Sequence, residues 1–531
     1  MRIFFKYPTV RELAALVDDD GVTEAAQSKN EFSDYNYNRI QNVISANTEE
    51  NADRITKEKL GDIMVTGATG FLGIHVLKAF LDNYDGKVYC LVRKGKYESP
   101  EKRMMNMLMY YFDDPYKELF ESRIICVDGD ITSKEQVTGF SEYKFSTIIN
   151  CAACVKHFAA DDVLERINVQ GVENLIDFCK NNGRRLIQIS TVSVAGEGSD
   201  GVPPMSRVFC ENDLYIGQNI TNEYIRTKFL AERAVLEAVS EGLDGKVVRV
   251  GNLMSRNSDG EFQINFITNG FLRSLRGYAA VGKFPMGGMH EVAEFSPIDS
   301  TALAVLRLAQ TDRRFTVFHA CNSHHIYMAD LIYAMRSYGF RIDIVRDEEF
   351  EAAVKEFAKT GQDSDAVSGL IAYTSHNENE IYTIDYSNRF TAQVLYRLDY
   401  KWPVTDDRYL ENAIAALDRL TFLIDSGGKI TMEIITKTEG NKATMEISGW
   451  LDTQTAPQLG EALSGLEDSI TSLVFDFTNL EYISSAGLRQ VIVAYKKMAQ
   501  KDGFKIINVS DEVYDVFSLT GFDSKIDIQK K

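Results

Sequence analysis

The chain has 531 residues, which at roughly 100–200 residues per domain means two to four domains. Hydrophobic residues make up 44% and charged residues 25%, with only 9 prolines, a globular balance that excludes fibrous and mostly disordered architectures. Lys and Arg number 58 against 77 Asp and Glu, a net charge of −19 with no dense basic block; this argues against nucleic-acid binding, and no apolar run reaches the ~18 residues of a membrane span.

Residues 1–20 begin MRIFFKYPTVRELAALV and end in Asp18-Asp19-Asp20. There is no continuous apolar core or small-residue cleavage site for a secretory signal. Thr9-x-x-Glu12 after Pro8 reads as a capping box opening an amphipathic helix with Val10, Leu13, Leu16 and Val17 on one face. Residues 21–58 are polar and read as a linker, partly helical, because they hold too little apolar area to offset chain ordering.

From residue 59 to 426 strand-like runs alternate with helical patterns. The strands expected are Ile63–Val65, Val88–Val92, Ile124–Val127, Thr147–Asn150, Leu186–Ile189 and Val247–Val250. Continuous apolar strands separated by amphipathic helices predict an α/β fold with a doubly wound parallel sheet, helices on both faces. Residues 255–425 carry more helical pattern and are expected to form a smaller, mostly helical substrate subdomain. Gly427-Gly428 then punctuate the chain, and residues 429–531 read as a separate α/β unit.

Gly67-x-x-Gly70-x-x-Gly73 falls at the turn between the first strand and its helix. Glycines at that spacing allow a tight turn, let backbone approach a pyrophosphate and let the helix pack close to the strand, while the helix N-terminus offers free N–H groups. The second strand ends in Val92-Arg93-Lys94 rather than in an acid. A guanidinium there suits a ribose 2′-phosphate, so NADPH is the expected coenzyme. Downstream, Tyr224-Ile225-Arg226-Thr227-Lys228 puts a phenol and an ammonium one helical turn apart; the cation is expected to lower the phenol pKa. Ser190-Thr191 closes the fifth strand at the carboxyl end of the sheet, where Thr191 is placed to donate to a reacting carbonyl or, more plainly, to cap a turn. Cys151-x-x-Cys154-x-x-His157 has no second ligand pair at metal spacing, so no metal is expected, and seven scattered cysteines point to reduced thiols in the cytoplasm.

The order of these motifs resembles the extended short-chain dehydrogenase/reductase superfamily, and within it the thioester reductase domains that end nonribosomal peptide and polyketide assembly lines. The matching stretches are Val65–Gly73, Cys90–Arg93, Gly129–Ile131, Asn150–Ala153, Asn168–Gly171, Ser190-Thr191, Tyr224–Lys228 and Arg249–Asn252. The resemblance implies Thr191, Tyr224 and Lys228 as catalytic residues. It implies coenzyme contacts along Thr66, Gly67, Thr69, Gly70, Phe71, Leu72 and Gly73, with Arg93, Asp130, Ile131, Asn150, Ala152 and Lys228; Asp130 and Asn150 would line the adenine and ribose side. The implied activity is NADPH-dependent release of a carrier-bound acyl or peptidyl thioester as an aldehyde, with onward reduction to the alcohol left open. Residues 4–14 resemble the last helix of a peptidyl carrier domain, which implies a carrier with a phosphopantetheine arm as partner. Sugar-nucleotide epimerases share the same catalytic residues but favour permanently bound NAD, against Arg93; a fatty acyl-CoA or carboxylic acid reductase is the nearer alternative.

Residues 429–531 resemble the STAS domain of anti-sigma factor antagonists through Gly449–Asp452, Asp476-Phe477 and Tyr482–Arg489. The resemblance implies Ser485 as phosphoacceptor and a regulatory protein as partner, although Ser484 stands where an Asp often precedes the acceptor. A chain acting chiefly as a signalling module through this unit is the alternative from a different functional class.

Overall fold

The computed structural model of the chain describes residues 32–94, 99–155, 162–196, 208–220, 222–360, 363, 366–367, 369–370, 384–420, 422–423, 432–451, 455–467, 469–483, 485–498, 501, 503–519, 522–523 and 525–531. The carrier-like helix expected within residues 1–20, together with His157 and Ser484, lies outside the described residues.

Residues 32–58 depart from the linker reading. Helix α1 (Asn38–Ile44) buries Ile40 and Ile44, and Phe32 packs edge-on against Phe229 with ring centroids 5.1 Å apart. Asn47 is buried and donates to the Glu211 carbonyl and the Thr316 hydroxyl. Few apolar residues sufficed, because each falls into a groove supplied by distant parts of the chain. Composition cannot see such a groove.

The strands are short and apolar because both their faces are covered. In chain order come β1 (Ile63–Thr66), α2 (Phe71–Asn83), β2 (Val88–Val92), α3 (Pro100–Phe112), β3 (Ile124–Asp128), α4 (Lys134–Thr138) and β4 (Thr147–Asn150). Then follow α5 (Gly171–Asn182), β5 (Arg185–Thr191), α6 (Glu223–Ser240) and β6 (Gly245–Val250). Every residue of β1, β2, β4 and β6 is buried. Helix starts follow local chemistry: Ser99 accepts from the Lys102 N–H ahead of Pro100 at the start of α3, and Asn222 accepts from the Ile225 N–H to start α6.

Beyond β6 the chain forms α7 (Gly270–Val281), α8 (Ile298–Leu308), β7 (Val317–Ala320), α9 (Met328–Tyr338), α10 (Asp347–Lys359), α11 (Arg389–Arg397) and α12 (Asp407–Arg419). The large sheet has the order β7-β6-β5-β4-β1-β2-β3, all parallel. Chain order reverses between β1 and β4, the point where open α/β sheets bind ligands at their carboxyl ends. One strand more is present than the apolar runs predicted: β7 holds a buried His319 that breaks its apolar pattern.

The expected helical subdomain at 255–425 is interleaved instead of contiguous. Ile298, Val305 and Leu308 of α8, Phe318 of β7, Val394 and Leu395 of α11, and Trp402 share one core with Ile63, Val65, Leu77 and Phe80. A second core joins Leu272 and Leu275 of α7, Leu331 and Ile332 of α9, Phe350 of α10 and Leu410 and Ile414 of α12. Each such side chain, removed from water, contributes ~1.5–3 kcal/mol, so the apolar faces of α8 and α11 return to the sheet as strongly as those of α2.

The C-terminal unit contains β8 (Glu433–Glu439), β9 (Lys442–Leu451), α13 (Ala456–Ser464), β10 (Ser472–Ile483), α14 (Ser485–Met498), β11 (Gly503–Val509), α15 (Asp511–Leu519) and β12 (Asp527–Lys530). Its sheet runs β8-β9-β10-β11-β12; β8 and β9 form an antiparallel hairpin and the other pairs are parallel. Leu459, Phe475, Val491 and Phe517 fill its core.

Candidate active site

The turn from β1 to α2 is built for contact with backbone. Gly67 has φ +62°, and a Cβ there would lie 2.7–2.8 Å from the Ala152 amide and the Cys151 carbonyl carbon. A Cβ on Gly73 would overlap the Gly67 carbonyl oxygen. Gly67 thus brings the loop after β4 against the turn, and Gly73 lets α2 start directly behind it. Gly70 is the N-cap and provides no side-chain oxygen for the first-turn amides, which leaves that helix end open to an anion. Gly70 is exposed and Thr69 and Phe71 half-buried, whereas Leu72 is buried in the core. This cradle fits a dinucleotide pyrophosphate.

Asn150 is not on an open wall. It accepts from Thr66 Oγ1 and donates to Gln188 Oε1 at 2.8 Å, so it ties the carboxyl ends of β1, β4 and β5 together from within. Its side chain is only 1% exposed. Ala152 approaches the same cluster, its N–H 3.4 Å from Thr66 Oγ1. Ile131 is buried against Gly171, whose missing Cβ makes room for it.

At the end of β2, Arg93 is exposed along 65% of its side chain, with Nη1 3.7 Å from Asp130 Oδ2. The other carboxylate oxygen of Asp130 accepts from the Thr132 N–H and hydroxyl. Asp128 accepts from the Lys94 N–H, and Arg103, from α3, donates to the Arg93 carbonyl at 3.2 Å. Arg103 was not anticipated; it stands ten residues from Arg93, and only the return of α3 over the strand end brings the two together.

Lys228 is 4% exposed, and its Nζ donates to the Ile189 carbonyl at 2.6 Å, two residues before Thr191. Thr191 Oγ1 accepts from the Ser193 N–H and donates to Ser193 Oγ, the capping arrangement that a strand-end threonine favours. Burial pushes the Tyr224 phenol up to about 12, opposite to the lowering expected from its cationic neighbour. Lys228 spends one donor on a backbone carbonyl, and burial pushes it down to about 8, opposed by Glu232 and Cys151. At neutral pH the site therefore holds a protonated phenol beside a mostly protonated amine.

Two further groups carry residues of the quoted motif stretches to which the sequence reading gave no site role. Asn168 lies in a π-helical segment, Arg166–Gln170, which precedes α5. It accepts from the Cys154 N–H and donates to the Cys154 carbonyl and to Thr227 Oγ1, clamping the loop after β4 to the residue beside Lys228. π-Bulges are frequent at functional sites. The second group is a polar row on one face of the sheet: strand register places Ser190, Arg249 and His319 side by side, and Gln188 two residues before Ser190. Ser190 Oγ is buried with no hydrogen-bond partner among the described residues.

Cys151 is half-buried, and desolvation of its thiol pushes it up to about 12, so it is protonated at neutral pH. Among the described residues no three His, Cys, Asp or Glu side chains are grouped to hold a metal, and no helix is long and apolar enough to cross a membrane. In the C-terminal unit Ser485 is the first residue of α14.

Comparisons with known proteins agree with this architecture. Residues 65–305 match the NAD-binding family described as male sterility protein, and residues 433–531 match the STAS domain. The chain is 25% identical over 422 residues to a linear gramicidin synthase of Brevibacillus parabrevis, covering 77% of this chain and 8% of that one. It is 24% identical over 466 residues to L-2-aminoadipate reductase of Saccharomyces cerevisiae, covering 78% and 30%; it thus spans under a third of either relative. Among solved structures, a thiolation-reductase di-domain from an archaeal nonribosomal peptide synthetase is 35% identical with a TM-score of 0.72, covering 80% of this chain and 88% of that one. The reductase domain of the aureusimine biosynthetic cluster is 26% identical with a TM-score of 0.60, covering 72% and 97%. A parallel sheet with a glycine cradle at its switch point, a buried Tyr-x-x-x-Lys helix and these relatives lead to one assignment: the chain belongs to the reductase-domain family of nonribosomal peptide synthetases, an NAD(P)-binding oxidoreductase family, and carries a STAS domain at residues 433–531.

Proposed function

We propose that the chain is an NADPH-dependent thioester reductase that releases a carrier-bound acyl or peptidyl group as an aldehyde. The observation that carries the reading is the Lys228 contact to the Ile189 carbonyl, which seats the Tyr-x-x-x-Lys helix on the carboxyl end of β5 beside Thr191. Gly67, Gly70 and Gly73 would hold the pyrophosphate, and Arg93 with Arg103 would face the 2′-phosphate. When bound, the reduced nicotinamide supplies the reducing equivalent for the thioester carbonyl.

The residues of the chain do the rest. Tyr224, protonated in the resting site, gives its proton to the carbonyl oxygen as negative charge builds there, and the Thr191 hydroxyl turns from Ser193 to donate to the same oxygen. Lys228 has donors left beyond Ile189 to hold the nicotinamide ribose, and its charge stabilises the phenolate that remains. The resulting hemithioacetal expels the carrier thiol and leaves the aldehyde. Residues 1–20 are read as the last helix of the carrier domain, and the STAS unit as a docking or regulatory module, with Ser485 as its phosphoacceptor.

The test is turnover of an acyl group on a phosphopantetheinylated carrier, following nicotinamide oxidation and trapping the product with a hydrazine. Aldehyde formed from the carrier thioester with NADPH is expected. Faster turnover of the free coenzyme A thioester would move the reading to the acyl-CoA reductase alternative, and no turnover of either would leave the signalling alternative.

A further inference from the structure

The helix that carries Tyr224 and Lys228 continues the same stripe one turn further. Tyr224, Lys228 and Glu232 stand at i, i+4 and i+8 on α6, so they share one face. Glu232 is completely buried, as is its partner Arg249 on β6. Arg249 Nε lies 3.2 and 3.1 Å from the two Glu232 oxygens, and Nη2 donates to Oε2 at 2.8 Å. This is the forked contact a guanidinium makes to a carboxylate anion.

Arg249 is itself held on every side. Nη2 donates to the Asp213 carbonyl at 2.9 Å, and the Phe209 ring lies 4.7 Å from Cζ. Nη1 is 3.0 Å from His319 Nε2. His319 Nδ1 meets the Ser387 carbonyl at 2.5 Å, and burial followed by the Arg249 charge holds the imidazole neutral. A neutral ring that donates from Nδ1 accepts at Nε2, so Arg249 Nη1–H points at a lone pair. The guanidinium is thus fixed in its forked contact with the Glu232 carboxylate.

A fully buried ion pair is a poor way to stabilise a fold, since apolar side chains of similar volume do as well or better. The pair nevertheless sits one helical turn behind the ammonium of the candidate site. We propose that Glu232 is a positioning residue that maintains the cationic form of Lys228, with Arg249 holding Glu232 in turn. The inference rests on the reading of Lys228 as the ribose-binding residue that charges the site. Among the described residues, the ionisable groups whose charge acts on Lys228 are Glu232 on its own helix and Cys151 from the loop after β4; Tyr224 stands one turn before Lys228 on the same helix face, and Arg249 stands behind Glu232 from β6. Cys151 is protonated at neutral pH, so Glu232 is the one anion of that set. Its effect on Lys228 opposes that of burial.

The test is the pH profile of kcat/KM for NADPH-dependent reduction of an acyl-pantetheine thioester by the full chain. Wild type is expected to lose activity as pH rises through about 8, where Lys228 loses its proton, and K228R, whose guanidinium does not titrate, is expected to remove that limb. E232Q is expected to move the limb about one pH unit lower, the size of a single nearby charge partly offset by Arg249. Because E232Q leaves Arg249 without its anion, the double variant E232L/R249M is measured beside it. That exchange of a buried pair for apolar groups is compatible with folding, and the limb is expected to stay low in it. A limb that returns to the wild-type position in E232L/R249M makes the pair merely structural and overturns the inference. So does a limb that K228R removes but E232Q leaves in place. A limb that survives in K228R overturns the role of Lys228 itself, and with it the reading on which the inference rests.

Discussion

Replacing Gly67 with alanine tests the close approach on which the candidate site is built. Two costs add at this position. The residue has φ +62°, and an L side chain in the left-handed region costs about 1–2 kcal/mol. The new methyl would also meet the Ala152 amide and the Cys151 carbonyl carbon at 2.7–2.8 Å; both are backbone and cannot rotate away, so a further ~1–3 kcal/mol of overpacking strain is expected. Gly183 isolates the first cost, because it has the same φ of +62° and nothing within 4 Å of its added Cβ. G183A is therefore expected to lose about 1–2 kcal/mol and G67A about 2–5 kcal/mol. Urea unfolding followed by Trp402 fluorescence reads the right core, since Trp402 packs in the same cluster as Leu72 and Leu77 of α2. Trp450, the other tryptophan of the chain, is replaced by Phe in all variants so that one signal is measured. NADPH affinity should fall in G67A and stay unchanged in G183A. Equal losses of stability in the two variants would mean that the loop after β4 yields freely, and the argument for a rigid cradle would be wrong.

Tyr224→Phe should lower turnover of a carrier thioester by roughly 10²–10⁴-fold, the range for losing a general acid, while NADPH binding by fluorescence quenching is retained; wild-type turnover would remove Tyr224 from the chemistry. Arg93→Ala should raise the NADPH Michaelis constant by about ten- to a hundredfold, the loss of a charge-assisted contact worth ~1.5–3 kcal/mol, without changing that for NADH; parallel changes would place the 2′-phosphate elsewhere. Burial pushes the Glu294 carboxyl up to about 7, against donors from Ser296, Asn252 and Asn322. Between the ordinary value of 4.5 and about 7 the native state keeps a proton that the unfolded chain has lost, so stability falls as pH rises through that window, by up to about 3 kcal/mol. The urea midpoint should drop less between pH 5 and pH 7.5 in E294Q than in wild type, and an identical drop in both would clear Glu294 of the effect.

The architecture was legible wherever a signal is local. Six of the sheet strands are runs of apolar residues long enough to be buried on both faces, and the glycine turn, the Arg after β2 and the Tyr-x-x-x-Lys spacing each follow from stereochemistry within a few residues. The separate α/β unit after Gly427-Gly428 was equally readable. Signals failed where polarity hid a buried element. Helix α1 has too few apolar residues to be recognised without the groove that receives Phe32, Ile40 and Ile44, and β7 carries His319 in the middle of its run.

Sequence alone singled out the glycine turn, Thr191, Tyr224 and Lys228 as the candidate groups, because periodicity and glycine placement act over one turn or one strand. Tertiary structure alone decided their electrical state. Whether Tyr224 is lowered by its lysine or raised by burial, whether Asn150 faces a ligand or braces three strands, and whether Glu232 is a surface charge or an anion held behind Lys228 all depend on solvent exclusion. That exclusion is set by residues far apart along the chain, and no local pattern records it.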